Sequence, residues 1–147
     1  MTKDSFEAAL GRPVVAADTA DDLGIVKSFV VDKTGSRIVA IHVAGRGSNA
    51  EIVPWASVRA FGADAVVAEG ADAREPASSE RDVMAAKGQV DAIGSRVLTT
   101  AGFSSGEVQN IFFDAGTGAL TGVLTDEGEI DIGRVRSLGS YALVVDA

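Results

Sequence analysis

The stretch Leu23-Gly24-Ile25-Val26-Lys27-Ser28-Phe29-Val30-Val31-Asp32, followed by Lys33-Thr34-Gly35 and Arg37-Ile38-Val39-Ala40-Ile41-His42-Val43, reads as a strand, a tight glycine turn and a return strand. β-branched and apolar residues fill both arms, as a pleated, half-buried surface requires. Gly35 can take the positive φ that a type I turn followed by a bulge needs. The chain then writes the unit a second time: Ser105-Gly106-Glu107-Val108-Gln109-Asn110-Ile111-Phe112-Phe113-Asp114, Gly116-Thr117-Gly118, Leu120-Thr121-Gly122-Val123-Leu124.

Working outward, the duplication extends over most of the chain. Gly11 and Gly94 lie 83 positions apart (94 − 11), as do Val14 and Val97 (97 − 14). The pairs Gly24/Gly106, Val26/Val108 and Asp32/Asp114 are each 82 apart (106 − 24). After a shorter middle loop, Val53/Ile130, Val58/Val135, Gly62/Gly139 and Val67/Val144 are each 77 apart (130 − 53). Matching glycines, aspartates and apolar positions in one order define an internal repeat of short strands. The organisation expected is a first repeat over 1–70 opened by a helical turn, a linker with a short helix over 71–87, and a second repeat over 88–147.

Within the first repeat, Asp4–Leu10 predicts one helical turn entered at Asp4 or Ser5 and stopped at Gly11, with Phe6 and Leu10 on one face. Strands are expected at Pro13–Ala16, Ile25–Val31, Arg37–Val43, Glu51–Trp55 and Ala65–Ala68, with a 3-10 turn at Ser57–Arg59. Pro54 belongs at a strand end or edge. The serine cap, early acids, late lysine and terminal glycine of Ser78–Gly88 predict the short helix of the linker.

Hydrophobic residues make up 46% of the 147 and charged residues 23%, the profile of a folded globular protein. There are no cysteines, which removes disulfides and thiolate chemistry, and no apolar run long enough to span a membrane. A cytoplasmic location is the expectation. The net charge is −8 and the thirteen basic residues are scattered. Phosphate backbones demand clustered Lys and Arg, so direct nucleic-acid binding is not expected.

These residues resemble the PRC-barrel family. The resemblance lies in Gly11-Arg12-Pro13-Val14, Leu23-Gly24-Ile25-Val26, Phe29-Val30-Val31-Asp32, Gly35, Ile52-Val53-Pro54 and Gly62-Ala63-Asp64-Ala65-Val66-Val67. The second repeat keeps Gly94, Val97, Gly106, Val108, Asp114, Gly118 and Gly139-Ser140-Tyr141-Ala142-Leu143-Val144-Val145, but has Glu129-Ile130-Asp131-Ile132 at the Val-Pro position. The resemblance implies a mainly β fold of two tandem SH3-like barrels used as an adaptor or assembly module.

No catalytic constellation comes forward. His42 is the sole histidine and alternates with Ile41 and Val43, which predicts a half-exposed strand residue without a base partner. Ser78-Ser79 and Ser104-Ser105 offer hydroxyls without a base. Asp126, Glu127, Glu129 and Asp131 crowd a hairpin at Gly128, as Asp18, Asp21 and Asp22 crowd a loop. Neither has the spacing of a calcium loop, and solvated acidic turns are expected, with no metal or cofactor. Gly45-Arg-Gly-Ser and Gly116-Thr-Gly lack the helix and lysine of a phosphate loop and read as turns. Trp55 is expected in the core or as a lid over it.

The long strand is apolar on both faces in both copies. Val26 and Val30 alternate against Ile25, Phe29 and Val31, and Val108 and Phe112 against Ile111 and Phe113. A half-exposed strand should be apolar on one face only. Either a β-bulge breaks the alternation, or the second face is also buried, barrel against barrel or against another chain. Phe29, Val31, Ile111 and Phe113 are the candidate interface residues. The function expected is a non-enzymatic interaction module with a protein partner and a possible homodimer. The alternative is a small-ligand or divalent-metal protein with a site between the barrels, fed by Asp126–Asp131.

Overall fold

The computed structural model describes residues 3–44, 51–76 and 92–147. The expected helix over Ser78–Gly88 and the Gly45–Ser48 loop lie outside them. The first half carries β1 (Lys3–Ser5), a one-turn helix α1 (Phe6–Ala9), β2 (Pro13–Ala16), β3 (Asp22–Val31), β4 (Ile38–Ala44), β5 (Glu51–Pro54), β6 (Val58–Phe61), β7 (Val66–Ala68) and β8 (Glu75–Pro76). The second carries β9 (Arg96–Thr99), β10 (Ser104–Asp114), β11 (Leu120–Thr125), β12 (Gly128–Asp131), β13 (Val135–Leu138) and β14 (Leu143–Val145).

The first sheet runs β6-β7-β2-β3-β4-β5-β8, and the second runs β12-β11-β10-β9-β14-β13 with β1 added to β10. In each, one edge region is tied to the other by a single 3-10 turn. Trp55–Ser57 joins β5 to β6, and Ile132–Arg134 joins β12 to β13. A three-residue link cannot cross a flat sheet, because each residue spans at most about 3.6 Å. Each sheet must therefore curl toward closure. The same parallel pair seals both copies, β2 with β7 and β9 with β14. The fold is mainly β and consists of two tandem barrel-like units.

Two register shifts in each long hairpin settle the face question along the long strands. The β3–β4 register shifts between Val26 and Ser28 and again between Val30 and Val31. The β10–β11 register shifts between Val108 and Asn110 and between Phe112 and Phe113. An extra residue reverses the facing of every side chain beyond it. Val26 consequently joins Phe29 and Val31 in the main core, not Val30 as strict alternation requires. Val108, Ile111 and Phe113 repeat the pattern. Val30 stays on the opposite face, in a small separate cluster with Ala40 and Ile52.

The two units share one core. The main hydrophobic cluster runs without a break from Phe6, Val14 and Phe29 to Val97, Phe113 and Val145. Phe113 of the second repeat lies among rings of the first: its centroid is 5.3 Å from Phe61, 5.6 Å from Phe29, 5.7 Å from Phe6 and 6.4 Å from Trp55. Phe6 stacks on Phe29 at 4.1 Å. Edge-on and offset contacts of this kind add to the burial energy itself.

An approximate two-fold axis passes through the hairpin tips. Ile38 N–H donates to the Gly118 carbonyl at 2.9 Å, and Leu120 N–H donates to the Ser36 carbonyl at 2.9 Å. Arg37 and Ala119 form an antiparallel bridge between them. The partners are related by the repeat offset of 82 (120 − 38, 118 − 36, 119 − 37). The halves thus pair strand to strand as well as side chain to side chain.

Several elements differ from the sequence-based expectation. Lys3–Ser5, assigned to the first repeat, is a strand of the second repeat's sheet, with Lys3 opposite Asp114 and Ser5 opposite Phe112. Glu75–Pro76, expected to be linker, adds a strand to β5. Val58–Phe61 is strand β6, and the 3-10 turn comes just before it. Phe6 is buried but Leu10 is 44% exposed, because Leu10 is an extended C-cap that has already left the one-turn helix.

Candidate functional site

The sequence-predicted interface residues come together, but inside the molecule. Phe29, Val31, Ile111 and Phe113 are all buried in the core shared by the two repeats. Residues of the same chain cover them, so any surface for a partner lies elsewhere. Trp55 is half-buried as a lid. Its ring stacks on Phe61 at 5.8 Å, and Gly118 of the second hairpin tip lies close under it.

His42 is 7% exposed rather than half-exposed. It occupies the β4 face that also carries Ala40, away from the main core. Its Nδ1 pairs with Ser28 Oγ at 3.2 Å. Burial, aided by the positive charge of Lys27, holds its proton affinity below the ordinary histidine value. It therefore packs as a neutral ring bonded to one hydroxyl, and neither Ser104 nor Ser105 is that partner.

The carboxylates of the Asp126–Asp131 hairpin do not converge. Among the described residues no three His, Asp or Glu side chains sit close enough to hold a metal ion. Asp126 instead accepts the Glu107 N–H at 2.8 Å, and Asp131 caps the Gly133 N–H at 2.8 Å. The hairpin packs over Gly106 of its own repeat, not into the gap between the two units. A pocket of about 290 Å³ does lie between the units, lined by Trp55, Val58, Arg59, Ala60, Phe61, Ala115 and Gly116. It contains none of those carboxylates.

What distinguishes the two repeats is surface chemistry on one backbone. Thr99 N–H donates to the Phe103 carbonyl at 2.8 Å, just as Ala16 N–H donates to the Asp21 carbonyl at 3.0 Å. Gly139 N–H donates to the Ala142 carbonyl at 3.1 Å, just as Gly62 N–H donates to the Ala65 carbonyl at 3.0 Å. These matched bonds place Phe103 where the first repeat has Asp21, and Tyr141 where it has Asp64. Asp21 and Asp64 are exposed acids. Phe103 is 71% and Tyr141 67% exposed. Arg96 lies over the Tyr141 ring, 4.6 Å from its centroid, and donates to its hydroxyl at 3.1 Å. Sequence reasoning passed over both aromatics. A residue-by-residue comparison of the repeats would have exposed the change from acid to ring.

Residues 3–74 match the PRC-barrel domain model. The chain carries a PRC-barrel domain. No curated protein matches it. The family match covers the first repeat, and the second repeats its strands in the same order and pairing.

The two repeats also differ at one sheet edge. In the first, β8 runs antiparallel along β5, with Ile52 opposite Glu75 and Glu51 opposite Pro76. Arg74, just before β8, pairs with Glu51 at 2.5 Å and donates to the Leu23 carbonyl. In the second, β12 pairs with β11, and among the described residues no strand lies along its other side. Among the described residues, no helix is long and apolar enough to cross a membrane.

Proposed function

We propose that this PRC-barrel protein is a non-enzymatic interaction module whose partner-facing surface lies on the second repeat. The observation that carries this reading is the replacement of two surface acids by Phe103 and Tyr141 on an otherwise repeated backbone. Rings this exposed bury little of their apolar area in the fold and become the anchors of an interface when a partner covers them. Arg96 holds the Tyr141 ring in one orientation before any partner arrives, which lowers the ordering cost of binding. With a net charge of −8, the surface favours basic or neutral partners and repels nucleic acid.

The test is capture on immobilised protein, comparing the wild type with a Phe103→Ser, Tyr141→Ser variant of unchanged melting temperature. The reading expects defined partners retained by the wild type and lost by the variant. Equal retention by both proteins would place the contact elsewhere. Light scattering on the same pair reveals whether the partner is a second copy of the chain.

A further inference from the structure

We propose that the outer edge of β12, along which no strand of the described residues runs, is a docking site for an extended, basic peptide segment of a protein partner, which adds a strand antiparallel to Gly128–Asp131. The inference rests on the interaction-module reading and assigns it a second, separate surface.

The molecule supplies its own precedent. β5 and β12 are equivalent strands, 77 positions apart (128 − 51), and both come after the second strand of a bulged hairpin. On β5 the edge is taken by β8, which pairs antiparallel, while the neighbouring Arg74 neutralises Glu51. On β12 the same edge is bare among the described residues. An edge strand presents a row of N–H and C=O groups that templates another chain. Glu129 takes the place of Ile52, which faces Glu75 across the occupied edge. The Asp126 N–H donates to the Glu107 carbonyl beside the Val108–Thr125 pair, so Thr125 turns its backbone polar groups toward Gly128 and those of Glu129, the next residue, point outward.

Charge selects the occupant. From Gly122 to Gly133 the chain has Asp126, Glu127, Glu129 and Asp131 and no Lys or Arg. All four acids are exposed. Natural edges are protected from indiscriminate pairing by charge, usually lysine. An edge protected by carboxylates repels a second copy of itself and admits a strand whose alternate side chains are Lys or Arg. In the first repeat a basic residue just before the added strand, Arg74, likewise pairs with an edge acid, Glu51.

The experiment uses the full chain and two synthetic peptides, one alternating Lys or Arg with Val and one alternating Glu or Asp with Val. Binding is read by fluorescence anisotropy, and the site by amide chemical-shift changes. The expected result is binding of the basic peptide, with shifts concentrated in Gly128–Asp131, and at least about tenfold weaker binding of the acidic one. Glu129→Pro removes the outward N–H at a position where an edge strand tolerates proline, and abolishes binding with little change in melting temperature. Glu129→Lys weakens binding while leaving the edge intact. If Glu129→Pro unfolds the chain, the basic peptide methylated at alternate backbone nitrogens serves instead and must fail to bind. Shifts that map to Phe103 or Tyr141, or basic-peptide binding indifferent to Glu129→Pro, overturn the edge site but leave the module reading standing. Loss of every partner in the Phe103→Ser, Tyr141→Ser capture with normal peptide binding leaves the edge site standing on its own.

Discussion

Gly118 and Gly102 share a left-handed backbone, with φ of +77° and +88°. A methyl group added at Gly102 meets open space, whereas at Gly118 it meets the Trp55 ring at 2.8 Å. Gly102→Ala is therefore expected to cost about 1 kcal/mol, the backbone strain alone. Gly118→Ala adds the displacement of a packed ring and is expected to cost about 2–4 kcal/mol. Urea denaturation of the two variants checks this, and equal losses would mean that Trp55 moves aside freely. His42 makes a second prediction at this scale. The folded ring holds its proton less tightly than the unfolded one. Between the two pKa values the unfolded chain binds more protons, so stability rises with pH. The His42 contribution is full above the ordinary value near 6.5 and is lost as pH falls through the lower, folded value. His42→Gln is expected to flatten that part of the stability curve. The carboxylates act lower. Burial opposes the charge on Asp4, and the Arg12 guanidinium with the Ser5 N–H outweighs it. For Asp32 burial is likewise outweighed, by the Ser36 N–H and hydroxyl, the Thr34 hydroxyl and the Arg37 N–H. Both therefore titrate below the usual carboxylate value, and their stabilisation is lost only as pH falls below about 4.

At the scale of elements, the strand least visible in sequence, β1, ties one repeat to the other. Asp4 sits on a strand of the second sheet and receives both guanidinium nitrogens of Arg12, at 2.6 and 3.0 Å. Arg12 also donates to the Gly62 carbonyl of the first repeat at 3.1 Å and lies over the Phe61 ring. Both side chains are largely buried. Asp4→Ala leaves a buried guanidinium short of its anion, and a loss of about 1–3 kcal/mol is expected. Hydrogen exchange should show it locally, with faster exchange at Lys3–Ser5 and little change along β11 and β12. Uniform acceleration would mean that β1 opens only with the whole fold. A strand of three residues has no readable periodicity, and its partner lies more than a hundred positions away. That is why this segment reads, in sequence, as part of a helical turn. Glu75–Pro76 escapes for a similar reason, being two residues long and ending in proline. A bulge in the long strands is one of two options the sequence leaves open, because alternation alone cannot say where an extra residue sits.

For the whole molecule, one core across two repeats means that neither half buries its own apolar face. A unit of about 60 residues is marginal even with a complete core. The segments 1–76 and 92–147 are each expected to show no cooperative unfolding transition when made separately, as circular dichroism during heating will reveal. A sharp transition in either would show that a repeat folds alone. The Phe29→Asp, Phe113→Asp variant is expected to unfold, since it places two carboxylates within the shared aromatic cluster. Light scattering distinguishes this from the separation of a dimer: folded 15.0 kDa monomers arising only in the variant would place those rings at a subunit contact instead.

The repeat, most of its strands and the PRC-barrel domain were legible in the chain, because spaced glycines and β-branched residues express local backbone needs that recur at fixed offsets. That the long strands carried more apolar surface than a lone barrel face requires was legible too. Which surface covered Phe29, Val31, Ile111 and Phe113 was not, because hydrophobic burial is non-directional and any apolar partner satisfies it equally. Only the tertiary structure decided that the other half of the same chain does so, with the hairpin tips bonded across a two-fold axis. The exposure of Phe103 and Tyr141 and, among the described residues, the unoccupied edge of β12 were decided in the same way. Exposure is a property of what lies alongside, and a sequence lists neighbours along the chain, not across it.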